Sequence, residues 1–400
     1  MSQILNLYFF ACLLWGLLAV ADLTTHDVGP RAIYTCTVPA NNNGTDDSPA
    51  ILAAFKECRK GRRIVFSNTT YHVNQMMTTT DLEDTQIEIH GTLLWSNDTD
   101  YWLSHPQPTG FQNGSAAWFL GGKNVTVDGF GYGTLDGNGQ VWQVSNYPDR
   151  PHALAIWKAT DMTVCNLRMV QSQMWTMTIM WSKNVLFDGI YINSTSSNGN
   201  PARNTDGADT INSDHTRFAT CTFAMGNSTN ILIEDSTLDR SLGIAFGSLG
   251  QYQGVFERVE NVTVRLIKGL KTRYGAYVKT WTGDQVSYPP NGGGGGIGSL
   301  SDFNLTQIQQ VPFVIGQCTS YSGEKGDCES STFKISNMTI HGWVGDGASS
   351  YVADMDCSKA AGGCDNITIE NIGLTNTTTG DAVAKYRCRD VTSVQGFTCT

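Results

Sequence analysis

From about residue 90 onward, apolar and polar positions alternate in short runs, and a turn residue precedes each run. The phrases "KNVTVDGFGYG", "ATDMTVCNLRM", "SKNVLFDGIYI", "STNILIEDSTL", "VENVTVRLIKG", "SDFNLTQIQQV", "ISNMTIHGWVG" and "CDNITIENIGL" share this plan, with key positions at 124, 162, 184, 230, 261, 304, 337 and 366. Val, Ile and Thr alternating with polar residues favour strands, and Asn, Asp and Gly at the ends favour turns. Most intervals fall between about twenty and forty residues, the spacing of solenoid repeats. The interval from 184 to 230 reads as two turns with one phrase missing. Each unit is too short to bury its own apolar face, so stacking must supply the core. The expected fold is all-β, a right-handed parallel β-helix forming one domain over residues 22–400. A β-sandwich also has short strands but no fixed phrase. The stretch "SPAILAAFKECRKG" (48–61) predicts an amphipathic helix capping the N-terminal end. The glycine run in "YPPNGGGGGIG" predicts a surface loop, since no helix with a Lys-Ser/Thr pair follows to cradle phosphate.

Composition narrows the setting. The chain has 400 residues, 40% of them apolar, enough for a large core. A net charge of -10 argues against nucleic acid as a partner. The first 21 residues carry no charged side chain and end in Ala19-Val20-Ala21, the pattern of a cleaved signal peptide. A secreted, extracellular protein follows, with no membrane association after cleavage. Without Cys12 the cysteines form an even set, for which short-range bridges 36–58, 318–328, 357–364 and 388–399 are expected. Their spacing lacks the paired motifs of a zinc site, and neither metal nor cofactor is expected. Twelve N-x-S/T sequons fit a glycosylated secreted protein. A monomer is expected.

The chemistry centres on "NTDGADT" (204–210), with Asp206 and Asp209 three residues apart. Inverting cleavage of a glycosidic bond needs one protonated carboxyl to donate to the leaving oxygen and one ionised carboxyl to activate water. Alone, such a string in a turn-rich protein is most often a structural turn. Other strings add sugar-binding candidates. "QSQMWTMTIMW" places Gln171, Gln173 and Trp175 on one alternating face, where ladder packing competes with sugar contact. Arg203 precedes the aspartates, and Trp142, Trp157 and Trp281 are core residues first and stacking platforms second.

Taken in order, "GYGTLDGNGQVW", "RPHALAIWKATD", "QSQMWTMTIMWSKNV", "NTDGADT", "GSLGQY", "KTWTG" and "NGGGGGIG" resemble glycoside hydrolase family 28, especially its fungal exo-acting branch. The resemblance covers most of the chain beyond the signal peptide. It implies a β-helix, pectin-type polysaccharide or oligosaccharide as substrate, inversion of configuration and no metal. Asp206 matches the aspartate of the N-T-D motif, a water-activating base, and Lys279 the lysine of the R-I-K motif, which holds a uronate carboxylate.

Three positions depart from the family pattern. Phe218, Ala219 and Thr220 stand where Gly-Asp-Asp and the general acid belong, and the segment before them is short by about one strand and turn. That looks like a deletion in the gene or an error in its assembly. Leu242 replaces the histidine of the G-H-G motif, and Tyr277 replaces the arginine of R-I-K. Loss of a guanidinium forfeits a bidentate carboxylate contact, which suits a less charged sugar such as rhamnose. Asp209 and the Asp214-His215 pair are the nearby substitutes for the missing acid. The leading expectation is an exo-polygalacturonase-like glycosidase, a galacturan 1,4-α-galacturonidase. Its rivals are a rhamnogalacturonan α-L-rhamnohydrolase and a carbohydrate-binding pseudoenzyme that lacks the acid. A purely structural stalk fits poorly with so many groove motifs.

Overall fold

Each alternating phrase becomes one rung of a parallel β-helix, in a computed structural model that describes residues 34–143, 149–219, 223–284, 296–297, 304–320 and 326–400. The expected signal peptide and most of the glycine run lie outside the described residues. Among the described residues, no helix is long and apolar enough to cross a membrane.

The front face carries the strands that matter for function: β1 (Leu154–Trp157), β2 (Met177–Met180), β3 (Ala208–Ile211), β4 (Phe223–Gly226), β5 (Ile244–Leu249) and β6 (Ala276–Trp281). β1 to β4 pair in parallel, and β5 pairs in parallel with β6. Period-two alternation sends Met177, Ile179 and Ala208 into the core and leaves Thr178, Asp209 and Ile211 facing out.

Behind each front strand the chain turns a corner at a residue in the left-handed region: Asn124, Asp161, Asn184, His215, Asn230 and Asn261 all have φ between 51° and 57°. Asparagine tolerates this conformation, which explains its place in the phrase. Its amide also links coils. Asn124 Nδ2 donates to Asp84 at 2.7 Å, Asn184 to Asp161 at 2.9 Å, Asn230 to Asp214 at 2.6 Å and Asn261 to Asn230 at 2.6 Å. Beyond the corner, Val127, Val164, Phe187, Phe218, Ile233 and Val264 lie in register as one buried row. Phe187 and Phe218 stack there with ring centroids 5.0 Å apart. Helix α1 (Ser48–Glu57) covers the N-terminal end, burying Ile51, Ala54 and Phe55. The four expected disulfides are all present.

The missing phrase is found in disguise. The strand Asp214–Ala219 occupies it, with His215 at the corner, so 184 to 230 does contain two turns. The first spans 31 residues (215 − 184) and the second only 15 (230 − 215). A third-face sheet runs through Thr134–Asp136, Arg168–Val170 and Tyr191–Asn193 and stops there. From Ala219 the chain passes almost at once to Phe223, which leaves no room for a third-face strand in this coil. The deficit read from sequence is therefore one side of one coil.

Candidate active site

The short coil decides what stands beside β3. Its front strand is β4, in register Ala208 with Phe223, Asp209 with Ala224, Thr210 with Met225 and Ile211 with Gly226. No residue of β4 is a carboxylic acid. The expected counterpart begins away from β4: Phe218 is fully buried in the core row behind the corner and Ala219 ends the same strand, while Thr220 lies outside the described residues. Aligning on Cys221 fails because the shortened turn shifts the front strand by five residues (223 − 218).

The other nearby acid is also displaced. Asp214 belongs to the ladder corner, accepting from Asn230 at 2.6 Å and Thr229 at 2.9 Å, with His215 Nδ1 2.8 Å away. Burial opposes ionisation there, but hydrogen bonds from Asn230, His215 and Thr229 outweigh it and hold the carboxyl down to about 2. It lies off the pocket and cannot substitute for the acid.

Asp206 and Asp209 do come together. Both line a cavity of about 330 Å³ with Lys279 of β6. The N-T-D-G turn is fixed by its neighbour coil, since Thr176 N–H donates to the Asp206 carbonyl at 2.8 Å. Asp206 precedes β3, so strand alternation does not separate it from Asp209. Burial raises both carboxyls, and the Lys279 ammonium pulls both back. Asp209, 3% exposed, is pushed well above the ordinary carboxylate range by burial and then by Asp206. Burial and the neighbouring Asp206 thus favour the protonated form of Asp209, and one protonated carboxyl beside one ionised carboxyl is the division that acid–base cleavage needs. Lys279 reaches this place because β5 lies close to β6. Gly247, at φ 112°, permits it: a Cβ there would meet the Lys279 carbonyl at 2.1 Å.

The rest of the wall is apolar or hydrogen-bonding. Phe111, Trp175, Ile211 and Trp281 line it. Among the described residues, neither the Trp175 nor the Trp281 indole N–H has a protein partner, and Asp209 Oδ2 has none either. An aromatic face with a free N–H suits a sugar ring, stacking on its C–H face and donating to a hydroxyl. Behind Trp175, the His152 ring packs at 4.4 Å and hydrogen-bonds Thr178 Oγ1 at 2.8 Å. Burial pulls His152 down to about 3, so it is a neutral support.

Several expected binding residues stand outside the pocket lining. Gln173 and Trp175 do not share a strand face, because Gln171 at φ 50° ends the strand and the chain bends before β2. Gln173 is buried under Gly137, while Trp175 alone lines the pocket. Arg203 is exposed, and its carbonyl accepts from the buried Arg150 at 2.8 Å. Tyr277 packs on Tyr274 at 5.1 Å, and the Leu242 carbonyl accepts from Tyr274 N–H at 3.0 Å. Trp142 is buried in the core, and Trp157 meets Phe119 and Trp181 edge-on. Missed from sequence were Phe111, Gln112 and Gln251, which also line the cavity. The Asn113-Gly114 pair was the available signal, a dipeptide that marks hairpins.

Comparison with known proteins gives a consistent result. The family model for glycosyl hydrolases family 28 matches residues 59–399. An α-L-rhamnosidase, rgxB of Aspergillus niger, is 44% identical over 380 residues, covering 90% of this chain and 88% of that protein. A putative galacturan 1,4-alpha-galacturonidase A of Aspergillus niger is 35% identical over 410 residues, covering 91% and 93%. Among solved structures, the endo-xylogalacturonan hydrolase from Aspergillus tubingensis superposes with a TM-score of 0.77 at 24% identity, covering 92% of this chain and 98% of that one.

Proposed function

Because the chain belongs to glycosyl hydrolase family 28, we propose that it is an exported, exo-acting glycosidase that removes terminal rhamnose from the pectin backbone. In this reading Asp209 is the general acid, Asp206 the base, and Lys279 the cation that keeps Asp206 ionised. Asp209 donates its proton to the leaving oxygen while Asp206 takes one from the attacking water, so the two exchange protonation states in one turnover.

The observation that carries the choice of sugar is the charge count of the pocket. Lys279 is the only cation lining it among the described residues, and two aspartates already share it. A galacturonate carboxylate would enter with no positive partner left, and an unpaired buried charge is costly. A rhamnose ring is neutral, and its methyl group suits a wall of Phe111, Trp175 and Ile211. The 44% identity to an α-L-rhamnosidase agrees with this choice, and the galacturonidase relative keeps galacturonate release as the alternative. Tyr277 and Leu242, offered from sequence as the reason for rhamnose, act at most from outside the pocket. The four disulfides fit an exported protein, which we take to be monomeric, with residues 1–21 as its signal peptide.

A second reading is favoured by one observation. β4 brings no acid and its coil is short, so a sugar-binding pseudoenzyme follows if Asp209 cannot donate. Chromatography of sugars released by the purified protein separates the readings. Rhamnose-ended rhamnogalacturonan oligomers should yield rhamnose, and oligogalacturonate little or nothing. Galacturonate release at the higher rate supports the alternative; saturable binding with no sugar released from either substrate supports the pseudoenzyme.

A further inference from the structure

We infer that the hairpin 108–115, latched onto Gln251 and Tyr252, makes the pocket blind and so admits only the end of a polysaccharide chain. The inference rests on the glycosidase reading above and supplies the physical basis of its exo action.

The hairpin has a local cause. Thr109 N–H donates to the Gly114 carbonyl at 2.9 Å and Gly114 N–H to the Phe111 carbonyl at 2.8 Å. Gln112 and Asn113 sit between them at φ 49° and 54°, the type I′ pair whose twist matches that of paired strands. Pro108 and Ser115 close the base as an antiparallel bridge. The Thr109 hydroxyl donates to the carbonyls of Phe111 at 3.2 Å and Gly114 at 3.0 Å, stiffening the tip from within.

The base leaves the fold just before the strand Trp118–Asp128, yet the tip meets a loop about 140 residues later in the chain. Gln112 N–H donates to the Tyr252 hydroxyl at 3.1 Å, and Gln112 Nε2 to Gln251 Oε1 at 2.7 Å. In between, the hairpin lies over the front face. Gly110 approaches the Trp181 ring, Phe111 packs on Trp175 with centroids 6.4 Å apart, and a Cβ built at Gly226 would touch Phe111 at 4.0 Å. The hairpin therefore runs across strands β2 to β4 and lands beyond them.

The receiving loop is anchored as well. The buried Glu257 carboxylate accepts from the backbone N–H groups of Gly250 and Gln251. Glycines at 250 and 254 take φ 70° and 72°, which lets the loop turn back on itself. A polymer laid along the front face would have to pass through this hairpin, whereas a chain end need only enter beneath it. A cavity of about 330 Å³ is at the small end for ligand sites, in keeping with a terminal unit rather than a through-running chain.

The test uses binding, so that it does not depend on turnover. In an Asp206→Asn background, calorimetry compares rhamnogalacturonan oligomers ending in free rhamnose with the same oligomers carrying a bulky ether on that rhamnose. The intact hairpin should disfavour capped ends by about tenfold or more in Kd. Replacing residues 109–114 by Asn-Gly, which keeps the Pro108–Ser115 base, should bring the two within about twofold. A length-preserving variant, Phe111→Ala with Gln112→Gly, should narrow the gap partway if the shortened form fails to fold by circular dichroism. Undiminished discrimination in a folded variant overturns the inference. A wild-type protein that discriminates capped ends but releases no sugar contradicts the glycosidase reading and supports the blind pocket. Absence of binding to any oligomer overturns both.

Discussion

Where the short coil turns the ladder corner it keeps the register of its neighbours, with Lys183 beside Asp214 and Asp214 beside Thr229; where it crosses the front face it brings no carboxylate. The corner and the buried row behind it hold the stack together, so a coil can lose a whole side and still be seated. Phe218 fills its place between Phe187 and Ile233, and Asp214 accepts from Asn230 as Asp84 and Asp161 accept from Asn124 and Asn184. The front face has no such requirement. Its strands need only pair, and their outward residues are free to change. Chemistry there depends on what the neighbouring strand already offers, and β3 offers Asp209 against Asp206 and Lys279.

Breaking the seated side should cost the most stability. Phe218→Ala removes a fully buried ring from the middle of the row, and a loss of about 3–5 kcal/mol in denaturant unfolding is expected. A loss below about 1 kcal/mol would mean that the short coil is not seated as described. Asn230→Ala should cost about 1–2 kcal/mol, because it removes the hydrogen bonds to Asp214 and from Asn261 and places alanine at φ 56°. Asn230→Gly, which accepts that backbone, should recover part of the loss.

The Asp214 carboxyl gives the smallest effect and a definite sign. Its folded pKa, about 2, lies below the unfolded value, so its contribution is present above about pH 4 and disappears as pH falls through 2. Solvent reaches about a third of the side chain, which keeps the contribution below about 1 kcal/mol. Asp214→Asn should therefore lower Tm slightly at pH 7 and leave it unchanged near pH 2. A change of equal size at both values would show that the charge is irrelevant.

The sequence made the fold legible because its repeat unit performs the same physical task in coil after coil. The same unit also recurs in some of the sequons. Asn124, Asn261, Asn337 and Asn366 each begin a sequon, but each also sits at a left-handed corner followed two residues later by a strand threonine. Four of the twelve sequons thus coincide with ladder corners. Asp206, Asp209 and Lys279 were legible from motif strings because they lie at the fixed junctions of front strands. The hairpin carrying Phe111 and Gln112 was not, since its role depends on a contact with Gln251 and Tyr252, far along the chain. Gln173 and Arg203 failed for a similar reason. A bend at Gln171 and the Arg150 hydrogen bond decide where they sit, and neither follows from strand period.

The central claim is that Asp209 supplies the proton that β4 cannot. Its most direct test is the rate of rhamnose release from rhamnose-ended rhamnogalacturonan oligomers by the wild-type protein and by Asp209→Asn. General acid catalysis predicts a fall of about 100- to 10,000-fold in kcat. The variant should also be more stable at pH 7 and unchanged near pH 3. A raised folded pKa means that ionisation penalises the folded state once pH exceeds the unfolded value, and the amide removes that penalty. Loss of activity in a better-folded protein would identify Asp209 as the acid. Wild-type turnover that survives Asp209→Asn within a few-fold would contradict the account and place the proton donor outside this carboxylate pair.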